Sequence, residues 1–456
     1  MNKKKRALIS VWDKSELIDL AVFLVENNFE IVSTGGTQKY LNDNNIEVTP
    51  VENITLTKHV MNGRVKTLHP KIFGGILADR NNPDHLNDLE YIESGLIDLV
   101  IINLYPFKNE AIDKNLSLDS AIEFIDIGGP SMLRAAAKNF NFVIPIADTK
   151  DYSKFINLYK QFEGEIPYNE RVKFATKIFQ ITNNYDKIIF DYFNKDQCEN
   201  IQLNLTKTTN LRYGENPHQQ SSFFLPNEDT GLLWNQISGK ELSYNNYFDI
   251  ETAISIVFNF NEIACSIINH SNPCGFGIDK NPKEAYLKAV SCDKTSYFGG
   301  IVGFNVNVDE DAAKEINKSF LECIIAPSFS KKAIEVLSKK KNLRLITMNK
   351  DIFFDSKNLS LKSVFNGYII QQKDNKNDDY NTFDIVSKNK PNNEQLKALY
   401  LSWNLVKYVK SNAIVFSNDS QILGVGAGQM SRVDSVKIAI NKSKENKLNL
   451  NNAVMA

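Results

Sequence analysis

Residues 7–37, ALISVWDKSELIDLAVFLVENNFEIVSTGGT, indicate a strand, a helix, a second strand and a glycine turn in succession. Residues 7–12 form a short apolar run, which is typical of a buried strand. Apolar residues then recur at helical spacing through residues 17–24, and strand character returns at residues 30–33. This order favours an α/β fold with parallel strands.

The alternation continues beyond this stretch. A short β segment is expected at residues 48–51, and the apolar runs at residues 98–104 and 142–147 are flanked by helical patterns. Strands that alternate with helices in this way predict a mostly parallel, doubly wound sheet.

A polar stretch at residues 195–210 is a candidate linker or crossover, because Lys, Asp, Asn and Thr crowd together there. We therefore expect a first domain over residues 1–197 and a second domain over residues 198–456. The elements expected in the second domain are strands and helices over 211–366, an exposed loop over 373–393, a helix over 393–410 and a strand over 413–417.

The chain has 456 residues, a formal net charge of -1 and 42% hydrophobic residues. This length predicts about two or three domains, and the near-zero charge gives no electrostatic case for a nucleic-acid or membrane partner. The basic start lacks the apolar run of a signal peptide, and no stretch approaches the ~20 apolar residues of a membrane helix. The five cysteines include no C-x-x-C pair, which disfavours a disulfide framework. We therefore expect a cytoplasmic protein.

Two segments of the first domain could bind phosphate. In STGGT (residues 33–37) the glycines let backbone N–H groups turn toward an anion, although a plain tight turn is the structural alternative. In GRVKTLHP (residues 63–70) a solvated basic loop is the alternative, but Pro70 stiffens the segment and apolar residues interleave with the charges. An Arg for phosphate and a Lys as acid or electrostatic stabiliser would fit this arrangement.

Three further motifs, NLYPF, IDIGG and RAAAK, contribute Tyr105, Asp126 and Lys138. NLYPF ends an apolar strand, and loops at the carboxyl ends of strands are where α/β sheets bind ligands. Core packing explains the apolar members of these motifs but does not explain the three polar side chains.

The second domain has polar turns of its own, RYGENPHQ at residues 212–219 and NHSNPCGFG at residues 269–277. Three of the five histidines, His69, His218 and His270, lie near prolines in such turns, which favours a functional role over a structural one. A zinc deaminase would require H-x-E and P-C-x-x-C, and neither pattern is complete here. We therefore predict no metal site.

Taken in order, these motifs resemble the PurH family of bifunctional purine-biosynthesis enzymes, which combines AICAR transformylase with IMP cyclohydrolase. The resemblance runs from Arg6 to Ala456 and rests on the motifs STGGT, GRVKTLHP, NLYPF, IDIGG, RAAAK, LRYGENPHQ, LSYNN, NPCG, FGG, IIAP, KSNAIV and GAGQMSR. It implies a methylglyoxal-synthase-like domain with a doubly wound parallel sheet. A transformylase region of two cytidine-deaminase-like α/β subdomains without zinc would follow.

The resemblance implies formyl transfer from 10-formyltetrahydrofolate to AICAR, followed by ring closure of formyl-AICAR to IMP. In the first domain it implies the catalytic residues Lys66, Tyr105, Asp126 and Lys138. We hypothesise that Asp126 orients or deprotonates the carboxamide nitrogen, while the two lysines and Tyr105 stabilise or protonate the departing oxygen. The residues implied to hold the ribose phosphate are Ser10, Lys14, Ser33, Thr34, Gly36, Thr37, Arg64 and Thr67.

In the second domain the resemblance implies that His270 is the base that activates the weakly nucleophilic amine of AICAR. It also implies a homodimer with transformylase sites between subunits, and small-molecule substrates rather than nucleic acid or membrane. The residues implied to bind substrate there are Arg212, Tyr213, Phe298, Glu322, Asn412 and Arg432.

Two features depart from the family pattern. Asn269 stands directly before His270, where the family has a lysine, and losing a positioned charged donor costs on the order of 2–4 kcal/mol, about two to three decades in rate. Family members continue past the position of Ala456, so we expect that a C-terminal segment is missing. Two alternatives follow: a cyclohydrolase whose transformylase domain is weak or inactive, and a nucleotide-sensing regulatory module.

Overall fold

The structure is a computed structural model that describes residues 4–57, 60–61, 64–194, 200–226, 232–355, 359–374, 376, 378 and 382–456. The chain divides into two compact units, Met1–Asn204 and Leu205–Ala456. The boundary expected between residues 197 and 198 lies outside the described residues, as does Gly63 of the GRVKTLHP segment.

Unit 1 alternates strands and helices along most of its length. Its elements are β1 (Lys5–Val11), α1 (Leu17–Glu26), β2 (Phe29–Ser33), α2 (Gly35–Asp43), β3 (Thr49–Pro50), α3 (Val51–Thr55), α4 (Pro70–Leu77), α5 (Pro83–Tyr91), β4 (Leu99–Asn103), α6 (Leu118–Ala121), α7 (Gly128–Lys138), β5 (Ile144–Ile146), α8 (Tyr152–Gln161) and α9 (Tyr168–Phe193).

The five strands of unit 1 form one sheet in the order β3-β2-β1-β4-β5, and every pair in it is parallel. Neighbouring residues of β1 face opposite sides of the sheet: Ile9 packs with Leu20 and Phe155, whereas Leu8 packs with Ile72 and Leu133. Helices therefore cover both faces, and the doubly wound parallel sheet expected from the sequence is confirmed.

Unit 2 contains the remaining elements. They are β6 (Leu205–Leu211), β7 (Ser221–Pro226), β8 (Trp234–Ser238), α10 (Tyr244–Phe258), β9 (Ala264–Asn269), β10 (Asn272–Ile278), α11 (Pro282–Cys292), β11 (Ile301–Phe304), α12 (Glu310–Ile316), β12 (Cys323–Ala326), α13 (Lys331–Leu337), β13 (Arg344–Met348), α14 (Lys350–Asp355), β14 (Leu359–Val364), β15 (Gly367–Gln372), α15 (Asn393–Val406), β16 (Ile414–Ser417), β17 (Ile422–Gly426), α16 (Arg432–Glu445) and β18 (Val454–Met455).

The main sheet of unit 2 is mixed and has the order β10-β9-β11-β12-β13-β8, in which β11, β12 and β13 run parallel. A second sheet has the order β17-β16-β18, and β6-β7 and β14-β15 form separate antiparallel ribbons. Val415 and Ile422 of the second sheet share one buried cluster with Ile268 and Phe276 of the main sheet. The two sheets are thus packed around a common core.

One element differs from the sequence expectation. Leu205–Leu211 was expected to belong to the polar linker at residues 195–210, but it forms strand β6, which pairs with β7. All of its residues except Leu211 are exposed, so the strand carries no apolar alternation that would predict it.

Candidate functional site

Two strand ends meet in unit 1 where the chain order of the sheet reverses, between β1 and β4. In α/β sheets, ligands bind at the carboxyl ends of strands at such a switch point. Asn103, which ends β4, joins the two strands: its Oδ1 accepts the N–H groups of Trp12 and Asp13, and its Nδ2 donates to the Asp13 carbonyl at 2.9 Å. The Tyr105 ring packs edge-on against Trp12 with centroids 5.2 Å apart. One wall of the crevice is therefore aromatic.

The N-terminus of α2 forms an open turn beside this crevice. Gly35 is left-handed, with φ of 50°, and a Cβ added at Gly36 would meet no atom within 4 Å. The N-cap residue Thr34 makes no side-chain capping hydrogen bond. Lys66 Nζ lies 3.9 Å from the position of a Cβ on Gly35. This arrangement suits a phosphate, because uncapped helix N–H groups and a lysine both attract an anion.

Two predicted phosphate ligands have their hydroxyl groups engaged inside the fold. Ser33 Oγ donates to the Ile9 carbonyl at 2.6 Å. Thr37 Oγ1 lies 3.0 Å from both the N–H and the carbonyl oxygen of Val11. These two hydroxyls tie the turn to β1 and do not face a phosphate, which leaves the backbone N–H groups of the turn as donors.

Three other predicted ligands are placed less directly. Arg64 forms an exposed ion pair with Glu123, and Ser10 is half-buried within β1. Lys14 Nζ donates to the Trp12 carbonyl at 3.2 Å. Lys14 therefore lies beside the crevice, whereas Arg64 would have to leave its surface partner to meet a phosphate.

Asp126 precedes the N-cap residue of α7 and is half-buried. Its Oδ1 accepts the Gly129 N–H at 2.9 Å, and its own N–H donates to the Tyr185 hydroxyl at 2.7 Å. Burial raises the pKa of Asp126, while the N–H groups of Gly129 and Gly128 oppose that rise. A Cβ added at Gly129 would collide with the Asp126 carboxylate. The tight turn thus holds a carboxylate whose protonation is easier than usual.

Two contacts connect Asp126 with the other predicted residues. Burial raises the pKa of Tyr105, and the negative charge of Asp126 raises it further, so the two groups interact. A Cβ added at Gly128 would lie 3.1 Å from Thr67 Oγ1, which brings the segment that carries Lys66 against the N-terminus of α7. The structure therefore gathers Lys66, Thr67, Tyr105 and Asp126 at one edge of the sheet.

Lys138 does not join this group within the chain. It is the last residue of α7, which begins at Gly128. At about 1.5 Å of rise per residue, the two ends of this helix lie roughly 15 Å apart. Lys138 is exposed at the far end, so in one copy of the chain it lies apart from Asp126, although the resemblance implies that both residues belong to one catalytic group.

In unit 2, His270 lies at the tip of the hairpin formed by β9 and β10. It is exposed, and both turn residues are left-handed, with φ of 52° for His270 and 59° for Ser271. The buried carboxylate of Asp249 accepts the Ser271 N–H at 2.6 Å and the Ser271 hydroxyl at 3.2 Å. The His270 imidazole therefore projects from a turn that the Asp249 carboxylate holds in place.

A second connection starts at Asn269, the residue before His270. Its Nδ2 donates to the Ser296 carbonyl at 2.8 Å. The same loop carries Phe298, which is exposed and packs against Phe320 with centroids 5.2 Å apart. The exposed Phe298 ring is thus linked to the turn that carries His270. An aromatic ring that stacks on the substrate of this histidine requires such a link.

A third connection leads from the turn to the predicted AICAR ligands. The Lys410 N–H donates to Asn272 Oδ1 at 3.0 Å. Two residues later, Asn412 Nδ2 donates to the carbonyls of Gln429 and Met430 at 2.9 and 3.1 Å. Arg432, two residues after Met430, is the first residue of α16 and is exposed. Asn412 and Arg432 therefore lie on one continuous set of loops with the histidine turn.

The last three predicted residues are Glu322, Arg212 and Tyr213. Glu322 Oε2 accepts Asn246 Nδ2 at 2.9 Å and lies 3.6 Å from Arg344. Arg212 lies over the Tyr213 ring just after β6, with its guanidinium carbon 5.6 Å from the ring centroid. Within the described ranges, no hydrogen bond joins Arg212 or Tyr213 to His270. The structure thus connects Asn269, Phe298, Asn412 and Arg432 to the histidine turn, but not Arg212 and Tyr213.

Sequence reasoning missed three polar residues that build these sites: Asn103, Tyr185 and Asp249. Asn103 and Tyr185 act through long-range hydrogen bonds that no local pattern indicates. Asp249 left a signal, because an acidic residue sits on the buried face of α10 between apolar positions. A buried acid on an amphipathic helix requires a partner.

No helix among the described residues is both long and apolar enough to cross a membrane. In the same part of the chain, no three or more His, Cys, Asp and Glu side chains are grouped so as to hold a metal ion.

Comparisons with known proteins cover almost the whole chain. Residues 136–442 match the family model of the AICARFT/IMPCHase bienzyme, and residues 16–131 match the MGS-like domain. The bifunctional purine biosynthesis protein PurH of Fusobacterium nucleatum is 45% identical over 97% of this chain and 87% of its own length. That of Caldicellulosiruptor saccharolyticus is 42% identical over 99% and 89%. A solved structure, described as the crystal structure of ForH, is 32% identical over 42% of this chain and 98% of its own, with a TM-score of 0.38.

Proposed function

We propose a division of labour for this chain, which belongs to the PurH family of bifunctional purine biosynthesis proteins and is an AICAR formyltransferase and IMP cyclohydrolase. Unit 1 closes the ring of formyl-AICAR, and unit 2 transfers the formyl group. The comparisons lend no support to a chain that has only the cyclohydrolase activity.

The observation that carries the assignment of unit 1 is the group formed by Lys66, Tyr105 and Asp126 at the switch point. The phosphate of formyl-AICAR binds at the open N-terminus of α2, beside Lys66. The carboxamide nitrogen then attacks the formyl carbon while Asp126 orients or deprotonates that nitrogen. Because the attack is intramolecular, holding the two groups together supplies much of the rate.

Loss of water completes the ring. The tetrahedral intermediate carries the former formyl oxygen as a hydroxyl group, which leaves as water when it gains a proton and the ring nitrogen loses one. Tyr105 and Lys66 are the donors available for the departing oxygen, since both belong to the same crevice. The ammonium group of Lys66 and the hydroxyl group of Tyr105 also stabilise the negative charge that develops on this oxygen before it is protonated.

For unit 2 we propose 10-formyltetrahydrofolate as the formyl donor and His270 as the base. The 5-amino nitrogen of AICAR attacks the formyl carbon and His270 takes the proton from that nitrogen. The bond from the formyl carbon to N10 then breaks, and N10 gains a proton as tetrahydrofolate leaves, so that no net proton is released. Exposure of His270 at the hairpin tip, with the Phe298 ring on a loop tied to the same hairpin, supports this assignment.

We further propose a cytoplasmic homodimer built through unit 2. Ribbon β14-β15 exposes large apolar side chains that a second copy would cover, including Phe365 at 102%, Tyr368 at 72% and Ile369 at 57%. Exposed large apolar side chains of this kind favour association. Analytical ultracentrifugation of the wild-type chain and of the Tyr368→Lys/Ile369→Lys variant tests this proposal. A wild-type monomer at micromolar concentration would contradict it.

Two variants test the division of labour. His270→Ala should abolish formyl transfer to AICAR and leave ring closure of added formyl-AICAR intact, whereas Asp126→Asn should do the reverse. Both reactions are followed separately on the same purified chain, so each variant serves as the folding control of the other. Undiminished ring closure by Asp126→Asn would overturn the assignment of unit 1.

A further inference from the structure

We propose that Asp249 is a positioning residue for formyl transfer: its carboxylate holds the His270–Ser271 turn in the conformation that presents the imidazole to the substrate. Asp249 touches the turn and not the reacting atoms, so its effect passes through His270. The inference rests on the proposed role of His270 and adds a residue outside the substrate-binding set given above.

The turn itself requires outside support. Asn269 of β9 pairs with Asn272 of β10, which leaves His270 and Ser271 as a two-residue hairpin loop. Both residues are left-handed, and such loops strongly prefer Asn-Gly, because side chains beyond Gly, Asn and Asp disfavour positive φ. A histidine and a serine at these positions are therefore unfavourable by themselves.

The carboxylate of Asp249 supplies that support. It projects from α10, whose N-terminus is fixed by a capping box of Ser243 and Asn246. Besides accepting the two hydrogen bonds from Ser271, it lies near the backbone N–H of His270, which helps to hold its pKa down. Only 9% of Asp249 is exposed, and burial raises its pKa while the hydrogen bonds oppose that rise. An acidic group is thus desolvated beneath the one turn that carries the histidine.

The carbonyl side of the same turn is held as well. Asn272 Nδ2 donates to the His270 carbonyl at 3.0 Å, while Asn272 Oδ1 accepts the Lys410 N–H. The Asp249 carboxylate thus holds the Ser271 N–H, and Asn272 holds the His270 carbonyl. The direction of the His270 side chain is therefore set by its backbone, and Asp249 is the partner that favours the left-handed conformation.

The test uses Asp249→Asn, which keeps the shape of the side chain and removes its charge and one acceptor oxygen. A positioned general base contributes roughly 10²–10⁴-fold, and we expect partial loss of position to lower kcat for formyl transfer by about 10- to 100-fold. The KM for AICAR should stay within about twofold, because the substrate contacts remain. Ring closure by unit 1, measured on the same sample, should be unchanged.

Rescue separates positioning from a merely structural role. Glycine adopts positive φ freely, so Ser271→Gly added to Asp249→Asn should restore most of the lost kcat. If Asp249→Asn keeps a normal kcat, or if it raises KM and the glycine does not rescue, the inference is wrong.

A second pair of variants leaves Asp249 in place, in case its replacement prevents unit 2 from folding. Ser271→Val, a β-branched residue that disfavours positive φ, should lower kcat as Asp249→Asn does, whereas Ser271→Gly should not. Equal activity of these two would overturn the inference. If the wild type were active and His270→Ala also remained active, the proposed function of unit 2 would fail instead.

Discussion

Asp126 and Lys138 lie at opposite ends of α7, with the carboxylate just before its first turn and the lysine on its last residue. Their separation along the helix is roughly 15 Å. The carboxylate faces Tyr105 in the crevice, whereas the lysine is exposed. Two residues that sequence reasoning assigned to one catalytic group are thus held apart by the helix that links them.

This separation predicts unequal effects of removing the two side chains. Asp126→Asn should slow ring closure at least 100-fold, since general acid–base catalysis contributes about that much, whereas Lys138→Ala should slow it less than about threefold. Steady-state ring closure of formyl-AICAR measures both.

Equal losses in the two variants would contradict this prediction. Lys138 would then have to act on the site of another copy. Mixing the two variant chains would regain activity in that case, because one site in a mixed dimer would be intact.

The raised pKa of Asp126 predicts where ring closure loses activity in acid. If the carboxylate is the active form, kcat/KM falls as pH falls through its pKa, and burial places that pKa above the ordinary value of 3.8. The acid limb of the pH–rate profile should therefore lie at higher pH than an ordinary aspartate gives. The residual activity of Asp126→Asn should lack this limb; a limb retained in that variant would assign it to another group.

The open space at Gly36 predicts a substitution that affects binding without affecting the fold. Gly36→Asp would place a negative charge where the phosphate approaches the N-terminus of α2, and we expect KM for formyl-AICAR to rise at least about tenfold, or ~1.4 kcal/mol. Gly36→Ala is the matched control, because a Cβ there meets no atom within 4 Å. Similar KM values for the two variants would place the phosphate elsewhere.

Asn269 predicts a gain of activity. Its amide already donates to the Ser296 carbonyl, so it offers no charge to an oxyanion near His270. Asn269→Lys should raise kcat for formyl transfer by about tenfold or more, since a positioned donor contributes on the order of 2–4 kcal/mol. Asn269→Met controls for side-chain length. No gain over the wild type would mean that another group already stabilises that oxygen.

The sequence allowed the sheet of unit 1 to be predicted closely, because its strands are buried on both faces and appear as short apolar runs between helices. Strand β6 was missed for the opposite reason, since all but one of its residues are exposed and most are polar. The residue types of the crevice also followed from the motifs. The contacts of these residues did not follow from the sequence. The eleven residues of α7 separate Lys138 from Asp126, and carbonyls of β1 accept hydrogen bonds from the hydroxyls of Ser33 and Thr37.

The amide of Asn103 has a consequence for how such a site could diverge. It bridges the ends of β1 and β4, which are distant in the sequence and adjacent in the sheet. The gap between the two loops is therefore set by the reach of a single side chain. Adding one methylene group, as in Asn103→Gln, would widen the mouth of the crevice without altering Lys66, Tyr105 or Asp126. A single substitution during evolution would thus change the size of the substrate that the crevice admits, while the catalytic residues stayed the same.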